Sequence, residues 1–470
     1  MTECNMKKKV FLIYPPSEVL NREDRCQQPV KDLIVIPPLP PTDLMYLASI
    51  AEECGYNAMI KDYSQGGDFL NDLMEFAPDY LVANVTIPTF KSDFEWLAKA
   101  KGMLPSMKII VKGAPFLTYN VNVTYEHPYI DYVIVGEAEY TLKDILSGVP
   151  DEEILGICYS DDNHQPVKTG ERPFIEDLDS LPLPARHLVD NSIYKRPDNG
   201  KVQAVIKVSR GCPYHCFFCL ATPVSGVNVR KRTPENIIKE IKECVQKYNI
   251  TNFIFWSDIF NIDRDWTIDL CKKIIESGLK ITWSSNTRAN TMDEEMAQWM
   301  YKSGCRLCSI GVESGSQMIL DNIGKKITLD DIRNTVKILK KNKIKIYNYF
   351  VIGLPWETEQ TVQETIKFAK ELDSDFISFY TAVPLPGTNY FNYAMMNKLI
   401  YGEIDFSSSY YEPIVRAHKL SKERIFELHK KAVKEYYLRP MFILKTLLKL
   451  RSFTELLNYF RAGMSLLLRK

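Results

Sequence analysis

A chain of 470 residues is too long for one ordinary hydrophobic core, so two or three domains are expected. With 45% apolar and 25% charged residues it falls among folded globular proteins and outside the disordered class. Lys plus Arg and Asp plus Glu balance at 59 each, which excludes a net electrostatic pull toward nucleic acid or an anionic membrane and leaves only local patches.

The amino terminus, MTECNMKKKVFLIYPP, starts basic, but its apolar run is short, ends at two prolines and reads as a first strand instead of a signal peptide. No stretch approaches the ~20 apolar residues of a spanning helix, so a cytoplasmic location is expected. The eleven cysteines should then be mostly reduced thiols.

Residues 8–158 alternate β-rich runs with helical patterns. Strands are expected at 9–14, 57–62, 80–85, 108–113, 132–136 and 154–159. Between them lie segments such as TDLMYLASIAEECG, with Leu44, Leu47, Ala48 and Ala51 on one face. Such a βαβ series implies a mostly parallel sheet covered on both sides, with ligands at the carboxyl ends of its strands. Residues 161–201, rich in charge, proline and turn formers, read as an ordered linker.

A second alternation follows, with strands near 204–209, 252–256, 280–285, 306–311, 345–351 and 375–380. Helices fall near 234–248, 264–277, 293–303, 328–342 and 358–371. Thr233 as N-cap and Pro234 at the first helical position open the first of these. Six strand–helix units suggest a closed or partly closed β/α barrel whose site lies in the loops after the strands. Cys305 and Cys308 form a CxxC, but on an expected buried strand, where core packing accounts for them.

From residue 381 the rhythm is lost, and helices are expected over 386–470. Residues 439–470 carry seven Lys or Arg against the single acid Glu455, interleaved with Phe442, Leu444, Leu447, Leu448, Leu456, Leu457, Phe460, Met464 and Leu467. A helical pair packed on the barrel and an amphipathic surface touching a membrane or an amphiphilic substrate are both compatible with that pattern.

The segment GCPYHCFFC places Cys212, Cys216 and Cys219 directly after the first strand of the second alternation. A structural zinc site normally closes with four ligands. Three cysteines crowded into one loop leave a metal position open, and His215 is set aside because adjacent residues in a tight loop seldom both reach one metal. Three thiolates suit a [4Fe-4S] cluster whose fourth iron stays open to an external ligand.

With Phe218 before its last cysteine, this segment resembles the CxxxCxφC signature of the radical S-adenosylmethionine (SAM) superfamily. The resemblance covers almost the whole barrel and implies that Cys212, Cys216 and Cys219 hold the cluster and that Phe218 lies near the SAM adenine. It further implies that Asp258, in FIFWSDIFNID, meets the SAM amino group, whereas Asp263 reads as a helix cap. Ser284, Asn286 and Arg288 resemble ribose and carboxylate ligands, Glu313 the family acid beside them, and Ile352 the apolar platform by adenine.

The leading α/β domain resembles the Rossmann-like (flavodoxin-like) cobalamin-binding module of class B radical SAM enzymes. The general form is similar to the branch of the anaerobic magnesium-protoporphyrin ester cyclase and several C-methyltransferases. Thr86, Gly113, Gly136 and Glu137 match its strand ends. Where a module with a histidine below cobalt carries Asp-x-His-x-x-Gly, this chain has Asp62, Tyr63 and Ser64, so cobalamin is expected without a lower-axial histidine. His127 is expected to be solvated.

The resemblance implies a cobalamin-binding domain over 1–160, a linker over 161–201, a partial (β/α)6 radical SAM barrel over 202–385 and a helical region over 386–470. It implies methylation of an unactivated carbon through a 5′-deoxyadenosyl radical and methylcobalamin, with an external electron donor such as flavodoxin or ferredoxin. A small-molecule substrate is expected, an amphiphilic one if the tail contacts it. Cyclization, rearrangement or oxidation without net methylation is the first alternative, and a non-catalytic iron–sulfur carrier or sensor is the other class. No catalytic acid or base, and no oligomeric state, is legible.

Overall fold

The computed structural model describes residues 7–18, 20–23, 26–29, 38–196, 200–400, 404–409 and 412–449. They form two compact units, one built around Leu39–Asn191 with the strands that precede it, the other around Ser192–Thr222 and the chain from Val227. The 450–470 part of the expected amphipathic tail lies outside the described residues.

The first unit contains β1 (Lys9–Tyr14), a hairpin of β2 (Leu20–Glu23) and β3 (Cys26–Pro29), then β4 (Asn57–Asp62), β5 (Tyr80–Asn84), β6 (Lys108–Lys112), β7 (Tyr132–Ile134), β8 (Ile157–Ser160) and β9 (Pro166–Lys168). Its seven-stranded sheet runs β4-β1-β5-β6-β7-β8-β9. The first five are parallel and the last two antiparallel. Strand β1 shows why the sheet is covered twice. Val10, Leu12 and Tyr14 enter one core with Leu44, Leu47 and Ala51, while Phe11 and Ile13 enter the opposite core with Phe69, Leu73, Phe94 and Leu97. The strand order reverses at β1, so the carboxyl ends of β1 and β5 flank the crevice where doubly wound sheets take ligands.

The second unit contains β10 (Gln203–Lys207), β11 (Ser209–Arg210), β12 (Arg230–Lys231), β13 (Asn252–Trp256), β14 (Thr282–Thr287), β15 (Cys305–Glu313), β16 (Lys345–Ile352) and β17 (Phe376–Thr381). Six of these form a parallel sheet in chain order, β10-β13-β14-β15-β16-β17, with helices between successive strands. Alternate residues such as Phe253, Phe255, Ile346 and Phe350 pack outward against those helices, while Tyr347, Tyr349 and Phe376 stay on the inner face. The run expected as one strand over 204–209 is broken at Val208, because Ser209 and Arg210 leave the sheet to pair antiparallel with Lys231 and Arg230.

Thr233 caps the helix Pro234–Tyr248 by accepting the Asn236 N–H, and Asp263 caps Arg264–Glu276 through Trp266 N–H. Cys305 and Cys308 are fully buried in the core, their sulfurs 3.8 Å apart. His127 is not solvated as expected. Its ring lies 4.4 Å from that of Phe94, and burial lowers its pKa. After β17, helix Lys422–Tyr437 seals the last strand, with Tyr436 OH donating to Ser374 O at 2.7 Å. No helix among the described residues is long and apolar enough to cross a membrane.

Candidate active site

The three-cysteine loop begins at Gly211, with φ +103°, where a Cβ would fall 1.9 Å from the Asn228 carbonyl oxygen, so only glycine fits. Its N–H donates to Asp258 Oδ2 at 2.8 Å, tying the loop to the segment after β13. Further along, Phe217 N–H donates to Ile323 O and Tyr390 N–H to Phe217 O, each at 2.9 Å. The loop is thus pinned at its start by the Asp258 side chain and at Phe217 by backbone from other strand–helix units.

Cys212 is buried, Cys216 and Cys219 half-buried. Burial pushes the Cys219 thiol up to about 12 and raises Cys212 as well, so metal binding here must expel protons. The Ala221 N–H already points at Cys219 Sγ, 3.4 Å away, in the manner of a donor to thiolate. Among the described residues no three or more His, Cys, Asp or Glu side chains meet closely enough to hold a single metal ion.

Around this loop stand charged groups from β14 and β15. Asn261, fully buried, accepts the Arg288 N–H at 2.8 Å and donates to Arg288 O at 3.0 Å, which fixes where the side chain leaves β14. The guanidinium lies 3.5 Å over the Tyr214 ring, inside the cysteine loop, and donates to Asn290 Oδ1 and to the carbonyls of Lys325 and Lys326. Glu313, at φ +65°, ends β15 and pairs with Lys325 at 2.6 Å. Gly311 leaves room for that pair, since a Cβ there would sit 2.4 Å from Glu313 Oε1. Burial alone would lower the Lys325 pKa, but Glu313 and Cys216 outweigh it and raise it, so the ammonium stays charged beside the cysteine loop.

Cys212, Cys216, Cys219, Asp258, Arg288 and Glu313 therefore belong to one contact network. Ser284 and Asn286 share the Arg288 face of β14, by alternation. Phe218 is half-buried against the barrel core, and Ile352 is wholly inside it. Lys325, Asn261 and Phe217 were not singled out from sequence. The GKK turn after SIGVESGS and the first aromatic of CFFC were the only signals for the first and last.

A model of the radical SAM superfamily matches residues 206–369, which span the cysteine loop and β10 to β16 with their helices. An uncharacterized methyltransferase of Pyrococcus horikoshii is 31% identical over 453 residues, covering 95% of this chain and 96% of that protein. The chain belongs to the radical SAM superfamily. This radical SAM enzyme is also 26% identical to the anaerobic magnesium-protoporphyrin IX monomethyl ester cyclase of Rubrivivax gelatinosus, over 75% of this chain and 66% of that protein. Its fold matches the radical SAM methyltransferase TsrM of Kitasatospora setae, a structure with cobalamin and a [4Fe-4S] cluster bound, at TM-score 0.70 and 16% identity, over 93% of this chain and 90% of that chain. A Rossmann-like unit ahead of the barrel puts the enzyme in the class B branch.

In that leading unit the crevice floor is built by Arg22, also not singled out from sequence. It donates to Pro15 O just beyond β1 at 2.9 Å and to Asn84 O at the end of β5 at 3.2 Å, and it makes a fully buried bidentate pair with Asp93. Thr86 is fully buried within this support, its hydroxyl 2.6 Å from that of Thr89. Glu137 accepts the Ile175 N–H at 2.7 Å. At the position of a lower-axial histidine, Ser64 Oγ donates to Asp62 at 2.6 Å, and burial raises the Asp62 pKa despite that bond. Gly113, φ +139°, is filled by Val85 O, whereas Gly66 and Gly136, at φ +101° and +92°, have nothing within 4 Å of an added Cβ. Those two open glycine edges suit a flat macrocycle approaching the backbone, and Ser64 offers it no nitrogen ligand.

Proposed function

We propose that the enzyme is a cobalamin-dependent radical SAM methyltransferase that acts on an unactivated carbon of an organic substrate. The observation that carries this is the three-thiol loop at the carboxyl end of β10, joined through Asp258, Arg288 and Lys325 to later strand ends, in a chain that begins with a Rossmann-like unit whose own carboxyl edge is open at Gly66 and Gly136. A methyltransferase name on a relative of matching length supports the outcome over net cyclization.

In this scheme Cys212, Cys216 and Cys219 hold a [4Fe-4S] cluster, and Gly66 and Gly136 flank a corrin at the first sheet. When bound there, such a cluster would supply one-electron reductive chemistry toward SAM and such a corrin would supply methyl-group transfer. The protein's own part is positional. Asp258 holds the loop through Gly211, while Arg288 and Lys325 bring positive charge to a SAM carboxylate through charge-assisted bonds. Ser284 and Asn286, on the same face as Arg288, contact the ribose. The tyrosines of β16 and β17 wall the inner face and exclude water. Met441, Leu444, Leu447 and Leu448 leave an exposed apolar face on helix Pro440–Lys449, which favours an amphiphilic substrate or a peripheral membrane contact. The electron comes from an external one-electron donor.

Anaerobic reconstitution followed by iron and cobalamin quantification, with product masses, tests the proposal. Four irons and one corrin per chain, 5′-deoxyadenosine and S-adenosylhomocysteine are expected. A substrate turned over without S-adenosylhomocysteine would replace methylation by a radical rearrangement or oxidation.

A further inference from the structure

Phe217, bonded to Cys216, turns away from the charged network. Its ring packs 4.9 Å from Trp356, 5.3 Å from Tyr390 and 5.6 Å from Tyr393. Trp356 and Tyr393 lie 5.3 Å apart, and the Tyr393 hydroxyl and His418 Nε2 are 2.8 Å apart. His418 is exposed. A contiguous file of rings therefore spans the short distance from the cysteine loop to the outside of the barrel unit.

Where the file surfaces, the end of helix Asn389–Met396 and the 416–419 loop lie side by side, joined by the Arg416 N–H on Leu399 O at 3.1 Å. Met395 and Met396 are 52% and 77% exposed. Lys398 and Lys419 are exposed beside them, and neither is paired with a carboxylate among the described residues. Exposed methionines make adaptable contacts, and unneutralised lysines around them attract an acidic partner. Electron-transfer encounters use small, weak interfaces, which a patch of this kind provides.

We propose that this face, Met395, Met396, Lys398, His418 and Lys419, is the docking surface for a small acidic one-electron carrier protein of the flavin class. The proposal rests on the radical SAM function above and adds where its reductant binds. The reduced carrier loses one electron, the cysteine-bound cluster gains it, and no atom or proton is transferred.

The test compares the reconstituted full-length enzyme with its Lys398→Glu/Lys419→Glu variant, using reduced flavodoxin and, separately, titanium(III) citrate. Flavodoxin-supported 5′-deoxyadenosine formation should fall about tenfold or more at low salt, as reversal of rim charges slows encounter. The titanium-supported rate should be unchanged. In a second arm, flavodoxin binding to unreconstituted protein, followed by calorimetry, should weaken in the variant and with added salt. Equal flavodoxin-supported rates and affinities in the two proteins would overturn the docking surface. Absence of titanium-supported cleavage in the unsubstituted enzyme would instead strike the parent function, and the binding arm would still decide the surface.

Discussion

The carboxylate of Asp258 accepts the Gly211 N–H at 2.8 Å, so a side chain two residues beyond β13 holds the hinge of the three-cysteine loop. An ionised acceptor on a backbone amide contributes about 1.5–3 kcal/mol. Asp258→Ala should therefore lower the iron retained after reconstitution and broaden the cluster's electron paramagnetic resonance signal. Asp258→Asn, which keeps an acceptor oxygen, should retain more iron than the alanine variant. Equal iron in all three proteins would show that the bond does not govern the loop.

Cys212→Ala, Cys216→Ala and Cys219→Ala should each abolish 5′-deoxyadenosine formation and leave the protein folded. The loop lies at strand ends, and the barrel core is built from other side chains. Circular dichroism and iron analysis on the same samples separate loss of cluster from loss of fold.

Lys325 and Glu313 form a mostly enclosed pair, their side chains 13% and 9% exposed. Removing one partner strands the other charge, which typically costs roughly 3–5 kcal/mol. Lys325→Met should lower the denaturation midpoint, and Glu313→Gln/Lys325→Met should recover part of the loss. A double variant no more stable than the single one would refute the coupling.

Glu357 Oε2 accepts the Gly353 and Leu354 N–H groups at 2.5 and 3.1 Å, yet burial of its carboxyl raises its pKa to about 7. A folded-state pKa above the unfolded value adds stability that is complete below about 4.5 and lost as pH rises through about 7. Glu357→Gln cannot ionise, so its stability relative to the parent should improve steadily from pH 5 to pH 8, measured by denaturant unfolding. A constant difference across that window would contradict the raised pKa.

Gly113 and Gly136 separate fold from cofactor cradle. Gly113→Ala would drive a Cβ to within 2.0 Å of Val85 O and should prevent soluble folding. Gly136→Ala meets no atom within 4 Å and suffers only the backbone strain of φ +92°, about 1 kcal/mol. It should fold and take up less cobalamin, measured by absorbance after desalting. Full corrin uptake by this variant would move the cradle away from β7.

Much of the architecture was legible because its determinants are local. The period-two runs of KVFLIY and NFIFW, the capping Thr233 and Asp263, and the cysteine spacing in GCPYHCFFC each act over a few residues. What failed was also local in appearance. His127 reads as a loop histidine, but the distant helix Phe90–Met103 brings Phe94 against it. Val208 reads as strand interior, but residues 230–231 draw its neighbours out of the sheet.

The candidate site divides along the same line. That three thiols share one loop after a strand follows from spacing alone, since covalent connectivity keeps them together in any fold. That Lys325 faces Glu313 and Cys216, that Asn261 steers Arg288, and that Arg22 floors the first crevice through Asp93 could not be read in advance. Those partners are 12, 27 and 71 residues apart for the bonded pairs. No periodicity links them, because only the parallel crossovers that return each strand to the same edge decide which carboxyl-end groups meet.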